Sequence, residues 1–141
     1  MKTKTIYLLM LIGLLALTLA ACSTSASTAQ DPLDGTSWVL FAYRKTTPIP
    51  GTTLTASFQD GQVRGSAGCN SYSGEYKVDG NKIEIGPIAI TEMACMEPEG
   101  VMDQELFFVQ FLQDGETLQL EGERLIIRRP DGETLTFDPG Q

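Results

Sequence analysis

The sequence predicts a mainly β fold with one helix, in which about eight short strands form a curled or closed antiparallel, barrel-like sheet packed on that helix. Apolar and polar residues alternate through much of the chain after residue 33, as they do in half-buried strands. Asp-Gly pairs interrupt these runs and favour tight hairpin turns, because such turns need positive φ. One segment, residues 98–112, instead has apolar residues at helical spacing.

The strands are predicted from composition and from their turns. Residues 38–43 are rich in aromatic and aliphatic side chains, and residues 88–91 form another apolar run. The predicted hairpin turns lie at residues 60–61, 79–81, 121–122 and 130–132. Open sheet edges promote aggregation, so we expect the sheet to curl or close, with the helix covering or plugging it.

The predicted helix begins at Pro98, because the missing proline N–H is harmless in a first helical turn. It ends at Asp114-Gly115, where glycine can take the left-handed conformation. A buried strand over residues 106–112 is the alternative interpretation. The residues predicted to share the buried face are Met102, Leu106, Val109 and Leu112 or Gln113, widened by Phe108 and Phe111.

The N-terminus has the pattern of a bacterial lipoprotein signal. Residues 1–21 contain two lysines followed by an apolar run, and Leu19-Ala20-Ala21-Cys22 resembles a lipobox. We therefore predict lipidation of Cys22 and anchoring to a membrane, the alternative being an ordinary cleaved signal with an incidental cysteine. Residues 22–32 then form the lipidated cysteine and a flexible polar tether, and residues 33–139 form one folded domain.

The charge of the chain limits its partners. Removal of residues 1–21 would leave 8 basic and 18 acidic residues, a net charge of −10. Such a domain repels phosphate backbones, which argues against nucleic acid. The predicted location is outside the cytoplasm, at the outer membrane or periplasm if the cell has two membranes. The expected partners are the membrane, through the lipid, and an envelope protein or lipid.

The cysteines have little catalytic or metal chemistry open to them. The chain has no histidine, which excludes a Cys–His pair and a Ser–His–Asp triad. With Cys22 lipidated, only Cys69 and Cys95 remain, and two thiolates without imidazole make a poor zinc site. An oxidising compartment favours a disulfide, which would contribute about 3–4 kcal/mol, with free thiols as the alternative. We predict no metal, no cofactor and no catalytic residue.

Three blocks of sequence resemble a known family: LDGTSWVL at 33–40, GSAGCNSYSGEY at 65–76 and TEMAC at 91–95. Together with the helix that carries Glu105 and Phe108, their order is similar to the META domain, or HslJ-like heat-shock lipoprotein, family (DUF306-type). The resemblance implies a compact, mainly β envelope domain associated with heat response, without established catalytic residues. Besides both cysteines, the matching positions, with structural roles expected, are Gly35, Trp38, Gly68, Asn70, Tyr72, Gly74, Tyr76 and Thr91.

We therefore expect a non-catalytic envelope lipoprotein that binds or protects a partner under stress. An alternative is a carrier of a small apolar ligand or lipid inside the barrel. The same aromatic side chains could instead fill the core. The aromatic residues concerned are Trp38, Phe58, Tyr72, Tyr76 and Phe108.

A third hypothesis is a hydrolase that uses a pair of carboxylates among Glu97, Glu99 and Asp103, since two carboxylates can hydrolyse glycosides. Acidic residues at the start of a helix are also ordinary partners of the helix dipole, which weighs against a catalytic role.

Overall fold

A computed structural model describes residues 31–140 as nine strands and one helix. Cys22 and the predicted signal and tether up to residue 30 lie outside the described residues. The strands are β1 (Thr36–Tyr43), β2 (Thr55–Gln59), β3 (Gln62–Ser66), β4 (Ser71–Asp79), β5 (Lys82–Ile85), β6 (Ala89–Ile90), β7 (Thr117–Glu121), β8 (Arg124–Arg128) and β9 (Thr134–Pro139). The helix, α1 (Val101–Gln113), lies between β6 and β7. The predicted mainly β fold with one helix is confirmed for this part of the chain.

The strands form one antiparallel, ring-like sheet. Their order is β3-β2-β1-β9-β8-β7-β5-β4, and a further pairing between β3 and β4 closes the ring. The short β6 pairs with the edge of β4 opposite β3, through Tyr72↔Ile90 and Ser73↔Ala89. The junction of β5 with β7 is the thinnest, with the single ladder pair Lys82↔Thr117. Closure pairs strand edges that would otherwise be exposed.

Local turn chemistry places the hairpins as predicted. Asp60 and Gly61 join β2 to β3 with φ of 51° and 73°. Positive φ at both positions is the geometry of a type I′ turn, whose twist matches that of the flanking strands. Residues 79–81, 121–122 and 130–132 likewise lie where one strand of a hairpin ends and the next begins.

Helix α1 packs into the ring through aromatic side chains. The Phe108 ring lies 5.8 Å from the ring of Tyr72 on β4 and 6.4 Å from that of Phe137 on β9, measured between centroids. Because β4 and β9 lie on opposite sides of the closed sheet, Phe108 spans the interior. Phe111 and Leu112 of the helix are fully buried in the same core, so the helix covers the interior of the ring as predicted.

The helix begins at Val101, three residues after the predicted start at Pro98. Gly100 has φ of +82°, outside the helical range, and so separates Pro98 from the helix. The Pro98 carbonyl accepts a hydrogen bond from the Val101 N–H at 3.1 Å, closing a turn ahead of the helix. The predicted end is confirmed, since the last helical residue is Gln113 and Asp114 is the C-cap.

The predicted buried face of α1 is partly wrong. Met102 and Leu106 are 37% and 59% exposed. The buried stripe includes two polar residues, Gln104 and Glu105, which bind groups on other segments. Apolar periodicity could not detect these and so favoured the neighbouring stripe. The buried residues of the helix are Val101, Gln104, Glu105, Phe108, Val109, Phe111 and Leu112.

The exposure of Leu106 predicts a small effect for Leu106→Gln. The exposed site should make the free energy of unfolding change by no more than about 0.5 kcal/mol, as is usual for surface substitutions. Leu112→Gln, the same change at a fully buried site, should cost at least about 2 kcal/mol. Urea denaturation of both variants measures the difference, and equal losses would restore the original assignment of the buried face.

Candidate functional site

Polar contacts are concentrated at the bend between β3 and β4. Residues 67–70 form the bend, and it holds residues 91–95, an irregular segment that leads toward α1. These two segments are termed the stapled bend. Its contacts bring together motif residues that lie far apart in the sequence.

A disulfide joins Cys69 to Cys95, which confirms the predicted pairing. The two Cα atoms are 6.0 Å apart, within the usual range for bridged cysteines, and the bond closes a separation of 26 residues. The bond fastens the segment before the helix to the start of β4, so both cysteines serve a structural purpose.

Asn70 lies at the centre of the stapled bend and is 2% exposed. Its side-chain Nδ2 donates to Glu105 Oε1 at 2.8 Å and to the Met93 carbonyl at 3.0 Å. Its Oδ1 accepts from the Thr91 hydroxyl and from the Met93 N–H, each at 2.7 Å. Its own N–H donates to Glu105 Oε2 at 2.6 Å, and its carbonyl accepts from the Ala67 N–H at 2.8 Å. Every polar atom of Asn70 is therefore bonded.

Glu105 is a buried carboxylate, 5% exposed, on helix α1. Both of its oxygens accept hydrogen bonds from Asn70, one from the backbone and one from the side chain. Burial of a charged group is costly unless hydrogen bonds compensate it, so the amide groups of Asn70 make this position tolerable. The pair fixes the bend to the helix.

Gln104, the residue before Glu105, secures the other side of the bend. Its Oε1 accepts from the Ile49 N–H at 2.7 Å, and its Nε2 donates to the Thr52 hydroxyl at 3.0 Å. Gly68 has φ of +112°, and a Cβ there would lie 3.4 Å from this Nε2. A glycine is therefore favoured at position 68 by its backbone conformation.

Neither Gln104 nor Glu105 was among the predicted site residues, although Glu105 belongs to the resemblance. The signal that could have found Glu105 is its position three residues before Phe108 and seven before Leu112, on the same stripe of an amphipathic helix. An acidic residue on such a stripe calls for a partner.

The other predicted motif residues lie in the core or in turns. The Tyr72 hydroxyl donates to the Thr55 carbonyl at 2.8 Å, and the Trp38 Nε1 donates to the Thr36 hydroxyl at 2.7 Å. Gly35 lies in the turn before β1, and its N–H donates to the Phe58 carbonyl. Gly74 lies in β4, where an added Cβ would be 3.2 Å from the Ile88 side chain. Thr91 alone joins Asn70, Gly68 and the cysteines in the stapled bend.

The Tyr76 hydroxyl donates to Asp31 Oδ2 at 2.6 Å. Burial first, and then the hydrogen bond to Asp31, raises the pKa of Tyr76 above its ordinary 10.0. Burial also raises the pKa of Tyr72.

These raised pKa values predict alkaline sensitivity. Since the folded chain holds these phenol protons more tightly than the unfolded chain, their stabilisation is complete below pH 10 and is lost as the pH rises above it. We expect the free energy of unfolding to fall above pH 10 and to fall less steeply in Tyr76→Phe. Denaturant titrations at several alkaline pH values measure the slopes, and identical slopes would contradict the assignment.

The aromatic residues considered as a ligand cavity pack against one another. Phe58 and Tyr76 make an edge-to-face contact at 4.8 Å between centroids, and Tyr72 contacts Phe108 in the same way. All five residues are at most 8% exposed. These contacts favour the core-filling interpretation over the carrier hypothesis.

The carboxylates of the hydrolase hypothesis are solvent-exposed. Asp103 lies in the first turn of α1, whereas Glu97 and Glu99 precede the helix. Within residues 31–140, no three His, Cys, Asp or Glu side chains are grouped so that they could hold a metal ion. No helix in this range is long and apolar enough to cross a membrane.

Two adjoining clefts lie where β5 meets β7, with volumes of about 460 and 510 Å³. Both are lined by Ile83, Glu84 and Glu116. The first also contains Arg129, which is paired with Asp131 at 3.2 Å. The clefts lie away from the stapled bend and share none of its residues.

The fold and the stapled bend define a small, mainly β domain in which one helix packs into a ring-like sheet and a disulfide fixes the approach to that helix. The chain belongs to the META domain family, whose model matches residues 31–141. A search of curated proteins found no match.

Solved structures show the same fold. A protein from Burkholderia xenovorans, determined by NMR, is 28% identical with a TM-score of 0.66, over 77% of this chain and 84% of that one. A second NMR structure is 23% identical with a TM-score of 0.61, over 75% and 90%. A DUF4847 family protein from Bacteroides vulgatus ATCC 8482 is 12% identical with a TM-score of 0.54, over 76% and 94%.

Proposed function

We propose that this chain is a non-catalytic lipoprotein of the bacterial envelope whose META domain binds a partner protein there, particularly under stress. The observation that carries the proposal is that some apolar side chains are buried inside the ring while others are exposed at the surface. Aromatic and aliphatic residues fill the ring, whereas Met93, Met96 and Leu106 are exposed along the chain from the stapled bend into α1. Apolar side chains grouped at a surface commonly mark an interaction site.

The sequence supports the location. The lipobox-like residues before Cys22 would place a lipid there, and acyl chains bind membranes in proportion to the CH₂ groups they bury. The chain from Cys22 to Asp31 reaches at most about 30 Å when extended. A partner of the domain would therefore lie in the layer next to the membrane.

The test compares the wild-type chain with Cys22→Ala in the native host. Intact-mass analysis of wild-type protein from the envelope should show a diacylglycerol adduct, and Cys22→Ala should leave the membrane fraction. Cross-linking in intact cells, before and after heat shock, should enrich a partner with the wild type, more strongly after heat shock. An unmodified Cys22 in envelope material, or cross-linking that never enriches a protein, would contradict the proposal.

Lipid extraction of the same purified material tests the carrier alternative. The packed interior predicts that only the covalent lipid is recovered. A stoichiometric, non-covalent lipid that remains in material from Cys22→Ala would instead favour a carrier.

A further inference from the structure

We infer that the exposed apolar surface beside the stapled bend docks a basic amphipathic segment of a partner protein. The inference rests on the proposed function, because it specifies the chemistry of the partner. The surface is termed the methionine face, and its residues are Ile90, Met93, Met96, Met102 and Leu106.

Bonds through the stapled bend link the segments that carry these residues. Met93 is bonded to Asn70, which is bonded in turn to Glu105, the helical neighbour of Leu106. Met102 lies one turn before Leu106, on the same side of α1. Met96 follows Cys95, whose partner Cys69 adjoins Asn70. The segments that carry the methionine face are therefore joined through a single buried asparagine.

The side chains of this face are unusually open to solvent. Met93, Leu106 and Met96 are 56%, 59% and 85% exposed. Methionine side chains are unbranched and polarizable, so they adapt to apolar partners of varied shape.

The charge around the face selects a basic partner over a membrane surface. Residues 90–106, which span the face, contain five Asp or Glu and no Lys or Arg, and four of the five are exposed. Glu97, Glu99 and Asp103 are exposed next to the methionines in sequence. Apolar side chains with an acidic border complement an amphipathic segment that carries Lys or Arg along its polar edge. The same border repels anionic lipid headgroups.

The stapled bend keeps this surface in place. Residues 91–95 belong to no strand or helix, yet a disulfide and the two Met93 hydrogen bonds to Asn70 fix them. A surface that is already ordered loses less conformational entropy when it binds. The hydrogen bonds and the disulfide that stabilise the stapled bend thus also hold part of the docking surface in its bound conformation.

The experiment uses the full chain in neutral lipid nanodiscs and a short synthetic amphipathic peptide of leucine and lysine. The matched control peptide contains leucine and glutamate, and signals from empty nanodiscs are subtracted. The Leu/Lys peptide should bind and should slow peroxide oxidation of Met93, Met96 and Met102. Met93→Gln with Met96→Gln should weaken binding at least about tenfold, because apolar burial is lost. Leu120→Gln, 45% exposed on β7, should leave it unchanged.

Three results would overturn the inference. The first is equal binding of both peptides, or an equal loss in the Met93/Met96 variant and in Leu120→Gln. The second is the absence of any protection of the methionines by the Leu/Lys peptide. The third is protection by the nanodisc alone, which would assign the face to the lipid surface. Cross-linking in cells tests partner binding separately. Any of these three results would therefore contradict the inference without contradicting the proposed function.

Discussion

Asn70→Asp is expected to lower the free energy of unfolding by about 3–5 kcal/mol, the usual cost of leaving a buried charge uncompensated. The substitution keeps the shape of the side chain but replaces the Nδ2 donor with a carboxylate oxygen. That oxygen would face Glu105 Oε1, now 2.8 Å from Nδ2, and the Met93 carbonyl. Two favourable hydrogen bonds would become two repulsive contacts in a buried site.

Urea denaturation at neutral pH measures this loss, and two comparisons isolate its cause. Asn81→Asp makes the same change at an exposed turn position and should alter stability by no more than about 0.5 kcal/mol. Adding Glu105→Gln to Asn70→Asp supplies an amide donor opposite the new carboxylate and should restore at least about 1 kcal/mol. If Asn70→Asp is as stable as Asn81→Asp, the network does not hold the bend.

Most of the fold was predictable because hairpins are specified locally. Asp60-Gly61 needs positive φ at both positions, and the alternation on either side fixes which residues face the core. Closure of the ring depends more on contacts between residues that are distant in sequence. The pairing of β3 with β4 follows from the bend at residues 67–70, whereas β5 meets β7 through one residue pair across the intervening helix. Periodicity along the chain carries no information about that junction.

The helix shows what hydrophobic patterning misses. Gln104 and Glu105 occupy the buried face because their hydrogen-bond partners come from distant segments, Ile49, Thr52 and Asn70. A polar side chain with a partner is indistinguishable in sequence from one that points to solvent. Periodicity therefore predicts that Met102 and Leu106 are buried, whereas both are exposed and belong to the methionine face.

The family resemblance identifies important positions but not the residues that each of them contacts. The resemblance singled out Asn70 and Thr91, and the structure joins them by a hydrogen bond of 2.7 Å. It also included Trp38 and Tyr76, which lie in the core outside the stapled bend. Asn70 differs from these because its side-chain amide bonds a carboxylate, a carbonyl, a hydroxyl and an N–H together. The number of these hydrogen bonds explains why an asparagine is suited to position 70.

Loss of the disulfide in Cys69→Ser with Cys95→Ser is expected to cost about 3–4 kcal/mol, since a cross-link across 26 residues restricts the unfolded chain. Chemical denaturation measures the change, and wild-type protein denatured under reducing conditions should lose the same amount. Agreement between the two assigns the loss to the bond, because the serines are absent from the reduced protein. A loss under about 1 kcal/mol in both would contradict a stapling role.

The disulfide and Asn70 hold the same segment, so their effects on it should be coupled. With the disulfide present, residues 91–95 remain near the bend even when Asn70→Asp breaks the hydrogen bonds. Without it, only those hydrogen bonds retain the segment. Amide exchange at residues 91–95 should therefore rise more in the combined variant than the separate variants predict, while exchange in β8 follows global stability alone. If the changes in amide exchange at these residues are strictly additive, the disulfide and the Asn70 hydrogen bonds act on separate parts of the molecule.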